Sequence, residues 1–325
     1  METKIKNLVI GQGNQYIVGF VSDIKEGTTS NGENFISLKI YDNEDKIDVK
    51  IWQTSQSEID ALDIRNGSFV VARGKCQLFR DSKQFNVDKS DKLMIRKAND
   101  GEFNISEYMP TAPIDYDEIK QYIINGIEQI NDIELRVFVN SIFNDYVDKL
   151  ISYPASMNVH HDYLNGLGYH IYRMLASALA LRSVYKNHVN FDYVIAGVIL
   201  HDIGKVNCYR VSEMGMPEDY TLENSLLGHI PIGLLMLEPY ELSESKKNLI
   251  RHLLLSHHGR PEFGAVVTPM FIEAQLLHHI DIMDASVTIM EAEMDKLNPG
   301  EVSDRIWSLD RTRLFNHAEE NTQSK

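Results

Sequence analysis

The sequence has little cysteine and no long apolar run. Its 325 residues include only two cysteines, Cys76 and Cys208, so we expect no disulfide framework and a reducing compartment. The strongest apolar run, Val194–Leu200, is far shorter than the roughly 20 residues that a membrane-spanning helix needs. The first residues also lack the apolar stretch of a signal peptide. We therefore expect a cytoplasmic protein with no membrane partner.

An excess of positive charge is missing as well. The chain has 32 basic and 47 acidic side chains, a net charge of −15, which argues against an indiscriminate nucleic-acid binder. The first 100 residues are neutral, with 15 basic and 15 acidic residues, so the remaining 225 carry the whole excess, 17 basic against 32 acidic. This acid is either a solvated surface or, in part, the carboxylates of a metal site.

The first third of the chain has the pattern of a small β-barrel. Residues 35–41 and 47–52 alternate apolar and polar side chains, which is typical of half-buried strands. We also predict strands at 16–24, 69–79 and 84–95 and a short helix at 55–62. Three strands, a short helix and two further strands are the order of an OB-fold, a Greek-key barrel that often binds single-stranded nucleic acid. The alternative is a small barrel without that function.

From residue 116 onward the apolar residues follow a helical period. We predict helices at 116–130, 132–150, 162–186, 191–203, 224–238, 243–258 and 268–297. Residues 99–115 contain two prolines and no period, which is typical of a linker. The sequence thus predicts two domains, an all-β OB-fold barrel over residues 1–98 and an all-α helical bundle over residues 116–325.

Eleven of the twelve histidines lie between residues 160 and 279. The pair His201-Asp202 follows the apolar segment VIAGVIL, and neighbouring side chains can share one ion only near a helix end. Alone, the pair could be two polar residues at a helix terminus. With His170 and Asp281 on other helices, it completes the H…HD…D pattern of the HD phosphohydrolase superfamily. We therefore predict an HD-domain bundle with its core at about residues 155–297 and a metal site.

Further histidines predict a second metal ion. His229, His257 and His258 lie in apolar segments, where an unpaired polar group is costly unless it binds a ligand. As in dinuclear members of the superfamily, Asp202 would bridge the ions. The first ion would take His170, His201 and Asp281, and the second His229 and His257. His258 would contact substrate or exchange roles with His257.

Paired ions suit attack on phosphorus, and Lys205 could hold a phosphate oxygen. Asp202, Lys205 and His258 are thus the candidate catalytic residues.

Several segments of the chain resemble the YhaM-type 3′→5′ exoribonucleases. They are HHDYLNGLGYHIYRML, AGVILHDIGKV, YTLENSLLGHIPIG, LSHHGRPEFG and DRIWSLDRTRLF. The resemblance spans residues 10 to 315 or so. It implies an OB-fold followed by an HD domain, with a preference for Mn²⁺ over Mg²⁺, Fe²⁺ or Co²⁺. It also implies release of nucleoside monophosphates from single-stranded RNA, with single-stranded DNA as the alternative. Tyr169 and Arg260 depart from the family's usual acidic residues, which puts substrate preference in question.

The predicted barrel offers a face for a single strand. Phosphates would meet basic side chains and bases would stack on aromatic rings; the candidates are Lys39, Lys50, Arg73 and Lys75, and Phe35, Tyr41, Trp52 and Phe79. The alternative is that about half of these aromatic rings plug the barrel. We expect His160, His161 and Arg260 to line the substrate channel, and the sequence leaves a homo-oligomer open.

Other functions remain open at this point. One is a phosphohydrolase of small nucleotides, which would use the same metal site. Another is a non-catalytic adaptor that binds single strands, although the intact H…HD…D pattern argues against it.

Overall fold

The computed structural model describes residues 3–42, 45–80, 82–87, 95–99, 102–103, 107–108, 111–156, 163–211 and 217–318. The chain divides into two compact units, residues 1–111 with 210–219, and residues 112–209 with 220–325. Among the described residues, no helix has both the length and the apolar character that crossing a bilayer requires.

The first unit is a β-barrel. Its strands are β1 (Gln15–Thr28), β2 (Asn34–Tyr41), β3 (Lys46–Trp52), β4 (Phe69–Phe79), β5 (Ser82–Val87) and β6 (Ile95–Lys97), with helix α1 (Gln56–Ala61) between β3 and β4. The order in the sheet is β1-β2-β3-β5-β4-β6, and β1 also pairs with β4, which closes the barrel. β3 and β5 are parallel. This topology confirms the predicted OB-fold.

The predicted alternation in β2 and β3 is confirmed. Ile36, Leu38 and Ile40 are buried in the barrel core, whereas their neighbours in β2 face outward and are partly exposed. Phe35 and Trp52 lie directly opposite each other across β2 and β3. Because side chains alternate between the two faces of a strand, one outer face collects the odd-numbered side chains of β2 and the even-numbered side chains of β3.

The second unit is helical. Its helices are α2 (Tyr116–Glu128), α3 (Ile133–Ser152), α4 (Gly166–Leu181), α5 (Phe191–Leu200), α6 (Leu222–Leu227), α7 (His229–Leu237), α8 (Glu244–Ser256) and α9 (Ile272–Met294). A short hairpin of β7 (Tyr209–Val211) and β8 (Pro217–Tyr220) falls between α5 and α6 in the chain, and its residues 210–219 belong to the first unit. Every residue of α5 except Tyr193 is buried, as expected of a helix that is apolar on nearly all sides. The helices α3, α4, α8 and α9 pack against it.

Among the helix boundaries that differ from the prediction, two affect the candidate site. The predicted helix 191–203 ends at Leu200, and a 3₁₀ helix, Ile203–Asn207, follows. The predicted helix 224–238 is two helices, because Gly228 adopts a φ of +78° that breaks the helical path. As a result, His201 and Asp202 lie between two helices, and His229 begins one instead of lying inside it.

Candidate metal centre and nucleic-acid face

His201 and Asp202 lie where the chain leaves α5. Nδ1 of His201 donates to the carbonyl oxygen of Val198 at 2.9 Å, so the other ring nitrogen, Nε2, is directed into the site. Nε2 is 3.2 Å from Oδ2 of Asp202. The same oxygen is 2.7 Å from Nζ of Lys205. The turn after α5 therefore brings three of the predicted residues together.

The structure brings His170, His201 and Asp281 together as the first group of ligand atoms. One donor atom from each lies within 4.8 Å of the others. His170 is fully buried in α4, and its Nε2 is 3.3 Å from Oδ1 of Asp281 in α9. Three helices therefore supply one group, which is the arrangement expected for an ion held in a helical bundle.

His229, His257 and His258 form the second group, again with one donor atom each within 4.8 Å of the others. Nδ1 of His257 donates to the carbonyl oxygen of Leu254 at 2.7 Å, which directs its Nε2 into the site. The rings of His257 and His258 are 4.2 Å apart between centroids. Both histidines therefore contribute a nitrogen to this group.

Asp202 lies between the two groups. Its Oδ2 is close to His201, and its Oδ1 is 3.5 Å from Nε2 of His229 and 3.8 Å from Nε2 of His257. Each oxygen of this carboxylate is therefore directed toward a different group, as a bridging ligand requires.

The residues fit a divalent metal because their buried donor atoms lack other partners. Five buried atoms of the site form no hydrogen bond with any described residue. They are His201 Nε2, Asp202 Oδ1, His229 Nε2, His257 Nε2 and His258 Nδ1. Burying polar atoms in this way is costly, and metal coordination would remove the cost. The donors are imidazole and carboxylate without thiolate, a set suited to divalent transition metals.

The protonation states of the site also suit a metal. Burial lowers the pKa of His229 to about 4, and it lowers the pKa of His257 as well. Both imidazoles are therefore neutral near pH 7 and need not release a proton to bind an ion. Burial alone would raise the pKa of Asp202, but Lys205 and His201 hold it well below its usual value. His229 and His257 of the second group thus offer neutral rings, and Asp202 offers an ionised carboxylate.

Asp284 binds the ring nitrogen of His170 that is not directed toward Asp281. Its Oδ2 accepts from Nδ1 of His170 at 2.7 Å, and its Oδ1 accepts from Nε of Arg173 at 2.5 Å. Arg173 also binds Glu291 at 2.6 Å. Burial lowers the pKa of His170, but its hydrogen bonds to Asp281 and Asp284 outweigh this and raise it to about 9. Asp284 lies one helical turn after Asp281, and that spacing is the only sequence signal of its role.

Asp284→Asn should weaken metal binding while leaving the ligands in place. The amide cannot fix the orientation of His170 as the carboxylate does, and loss of such a partner lowers metal affinity about 10–100-fold. Metal titration of the apoprotein, followed by calorimetry, measures the change. Glu291→Gln is the matched control, since this exposed residue of the same helix touches Arg173 but not His170. Equal affinities in the two variants would contradict the assignment.

Of the three residues predicted to line the substrate channel, the structure describes only Arg260. His160 and His161 lie outside the described residues. Arg260 is exposed at the start of a 3₁₀ helix, Pro261–Phe263. His278, which the sequence did not assign to the ligands, donates from Nδ1 to the carbonyl oxygen of His257 at 2.8 Å and so holds the turn that carries two ligands.

The outer face of the barrel has an open aromatic cluster. The rings of Phe35 and Trp52 are 5.3 Å apart, and Nζ of Lys50 is 4.2 Å from the centroid of Phe35. Nε1 of Trp52 donates to Oδ1 of Asn86 at 3.0 Å. Lys75 and Phe79 of β4 are also exposed. Phe35, Lys50, Trp52, Lys75 and Phe79 can therefore contact a nucleic-acid strand without rearrangement of the barrel.

The other predicted face residues have partners in the barrel. Lys39 forms an exposed ion pair with Asp23 at 2.7 Å. The Tyr41 ring is half-buried and lies 5.7 Å from the ring of Phe20. The guanidinium of Arg73 is 5.5 Å from the ring of Tyr16. The face predicted from alternation is therefore only partly open.

Two of the cavities among the described residues reach the candidate metal centre. The larger, about 550 Å³, is lined by Asp202, Lys205, His258 and Asp281 and continues along α9. The smaller, about 290 Å³, reaches Lys205 and His229 from the side of Tyr209 and Tyr220. Lys205 is thus accessible from both.

Comparison with known proteins supports both domains. The HD domain model matches residues 167–286, and the OB-fold nucleic acid binding domain model matches residues 16–93. The chain is 34% identical over 324 residues to the 3′-5′ exoribonuclease YhaM of Listeria welshimeri, covering 97% of this chain and 99% of the relative. It is 30% identical to the YhaM of Oceanobacillus iheyensis, covering 91% of each chain. For the YhaM of Bacillus licheniformis the identity is 31%, covering 89% of this chain and 90% of the relative. The chain therefore belongs to the YhaM 3′-5′ exoribonuclease family, with an OB-fold domain followed by a metal-binding HD domain.

Proposed function

We propose that the protein is a metal-dependent exoribonuclease that removes nucleoside monophosphates from the 3′ end of single-stranded RNA. The observation that supports this best is the carboxylate of Asp202 between two groups of buried ligand atoms. The full-length similarity to proteins named 3′-5′ exoribonucleases indicates the substrate and the direction.

The chemistry is hydrolysis of one phosphodiester bond per turnover. A water oxygen bonds to phosphorus, the bond from phosphorus to the upstream 3′ oxygen breaks, and that oxygen takes a proton. Two bound divalent ions would supply the activated water and neutralise charge on the phosphate. The terminal nucleotide then leaves as a 5′-monophosphate.

Lys205 and His258 act on the phosphate in this proposal. Lys205 lines both cavities, so its ammonium can hold a non-bridging phosphate oxygen while the strand passes from one cavity to the other. The His258 ring lines the larger cavity, and burial lowers its pKa, so it is neutral and can bind metal or the phosphate.

For the metal we propose Mn²⁺, with Fe²⁺ and Co²⁺ as alternatives. The two groups and Asp202 supply five imidazoles and two carboxylates, namely His170, His201, His229, His257, His258, Asp202 and Asp281. Mg²⁺ prefers oxygen ligands and dehydrates reluctantly, so a site with this many nitrogen donors favours a transition metal. Activity measured with each ion after complete chelation tests the preference.

A short single-stranded oligoribonucleotide labelled at either end tests the function. We expect a 5′ label to show a ladder of products that shorten stepwise, and a 3′ label to appear at once as a mononucleotide. Internal cuts would contradict an exonuclease. Hydrolysis of free nucleotides alone would indicate a small-molecule phosphohydrolase, and no hydrolysis with any divalent ion would indicate a binding adaptor.

Trp52→Ala should weaken binding of single-stranded RNA about tenfold, because one stack of a base on an aromatic ring contributes roughly 1–3 kcal/mol. Binding is measured by fluorescence anisotropy with chelator present, so that hydrolysis does not interfere. Tyr185→Ala is the matched control, since Tyr185 is an exposed aromatic residue outside the barrel. If both variants bind as tightly as the unchanged protein, the aromatic cluster is not the binding face.

A further inference from the structure

The larger cavity extends beyond the metal centre into a part of the chain that the HD domain model does not cover. That model ends at residue 286, whereas the cavity continues past Ile289 and Met290 to Ser308, Leu309, Asp310 and Thr312. Its walls there combine apolar side chains from α9 with hydroxyl and carboxylate groups from the segment 306–312. This part of the cavity suits a nucleoside, with apolar surface for a base and polar atoms for a sugar.

The segment that lines this part of the cavity contains a tight turn at Asp310 and Arg311. Both residues have positive φ, 50° and 62°, and the amide of Thr312 donates to the carbonyl oxygen of Leu309 at 2.8 Å. This is a two-residue turn whose central positions ordinarily favour Asn and Gly. The guanidinium of Arg311 lies 4.5 Å from the ring of Trp307, which accounts for the arginine.

The carboxylate of Asp310 has no comparable partner. Asp310 is exposed, no hydrogen bond or ion pair joins it to another residue in the part of the chain that the structure describes, and it lines the cavity. A carboxylate accepts hydrogen bonds and repels phosphate. It is therefore suited to neutral hydroxyl groups and unsuited to any nucleotide that carries a further phosphate.

We propose that this part of the cavity holds the 3′-terminal nucleoside and that the Asp310 carboxylate accepts hydrogen bonds from its free hydroxyl groups. The inference rests on the proposed exoribonuclease function. Every upstream nucleotide has a phosphate on its 3′ side, whereas the terminal nucleoside has only the scissile phosphate on its 5′ side. A cavity that is lined both by candidate metal ligands and by the Asp310 carboxylate therefore accepts the terminal nucleoside and excludes internal ones. Asp310 is a specificity-determining residue that also discriminates against a terminal 3′-phosphate.

The test compares two oligoribonucleotides of one sequence, ending in a 3′-hydroxyl or a 3′-phosphate. We expect the unchanged protein to degrade the 3′-phosphate substrate about tenfold more slowly, because the Asp310 carboxylate and a terminal phosphate repel each other even near a protein surface. Asp310→Asn keeps an acceptor and tolerates positive φ, but it removes the charge, so the ratio of the two rates should fall toward one. High salt should reduce the ratio for the unchanged protein, since it screens partly exposed charges. Asp304→Asn is the matched control, because Asp304 is also an exposed acid, lies close to Asp310 in the sequence and does not line the cavity.

The outcomes separate this inference from the proposed function. If the unchanged protein degrades neither substrate, the exoribonuclease function fails. If it degrades the 3′-hydroxyl substrate but Asp310→Asn keeps the original rate ratio, the role of Asp310 is overturned and the function stands. Equal rates on both substrates with the unchanged protein would overturn it as well. A melting temperature equal to that of the unchanged protein shows that the variant is folded.

Discussion

Asp202→Asn should abolish hydrolysis of RNA while leaving the barrel able to bind it. The two oxygens of Asp202 are directed toward different groups of ligand atoms, so its loss separates the groups and removes the negative charge between them. Removal of a central catalytic carboxylate costs on the order of a thousandfold or more in rate. The same substitution should reduce the metal content of the purified protein, because an amide is a weaker ligand than a carboxylate.

Three measurements check this expectation. The rate is followed on a 5′-labelled oligoribonucleotide, metal content by elemental analysis, and strand binding by anisotropy in chelator. Added Mn²⁺ should raise the melting temperature of the unchanged protein, since it binds the folded state, and it should raise that of the variant much less. Asp295→Asn, at the exposed end of α9, should behave like the unchanged protein. An undiminished rate in Asp202→Asn would rule out the proposed centre.

The sequence predicted much of this centre because its ligands are tied to recognisable segments. His170, His201, Asp202 and Asp281 belong to a pattern in which residue type and order are informative together. The sequence was less informative where a detail of the backbone decides the position of a candidate ligand. His229 begins a helix only because Gly228 leaves the helical path, and no apolar period reveals that break.

Supporting residues were harder to predict than ligands. Asp284 and His278 act through the other nitrogen of a histidine or through a carbonyl oxygen, so their roles depend on packing between helices that are distant in sequence. In the barrel, alternation identifies which face Tyr41 occupies but not that Phe20 packs against it. Asp310 lies in a segment without a period, and only the cavity shows what it faces.

The backbone next to the metal centre should be as sensitive to substitution as the ligands are. Gly204 lies in the 3₁₀ helix that follows His201 and Asp202. A Cβ atom at this position would overlap the carbonyl oxygen of His229 and lie 2.7 Å from the amide nitrogen of Gly233. Both neighbours are backbone atoms of α7, so they cannot move aside as a flexible side chain would. The close approach of these two segments therefore places the turn that carries Asp202 beside His229.

Gly204→Ala should consequently destabilise the helical unit by at least about 2 kcal/mol, at the upper part of the range for overpacking, and it should displace His229 from the second group. Urea unfolding followed by far-ultraviolet circular dichroism measures the loss, since the signal comes mainly from the helices. Gly13→Ala controls for the general effect of adding a methyl group to the unfolded chain, because nothing lies within 4 Å of its Cβ position. We expect that control to keep the midpoint of the unchanged protein and its gain in stability with Mn²⁺. If Gly204→Ala also kept the unfolding midpoint and the gain in stability with Mn²⁺, the contact between the 3₁₀ helix and α7 would not determine the distance from Asp202 to His229.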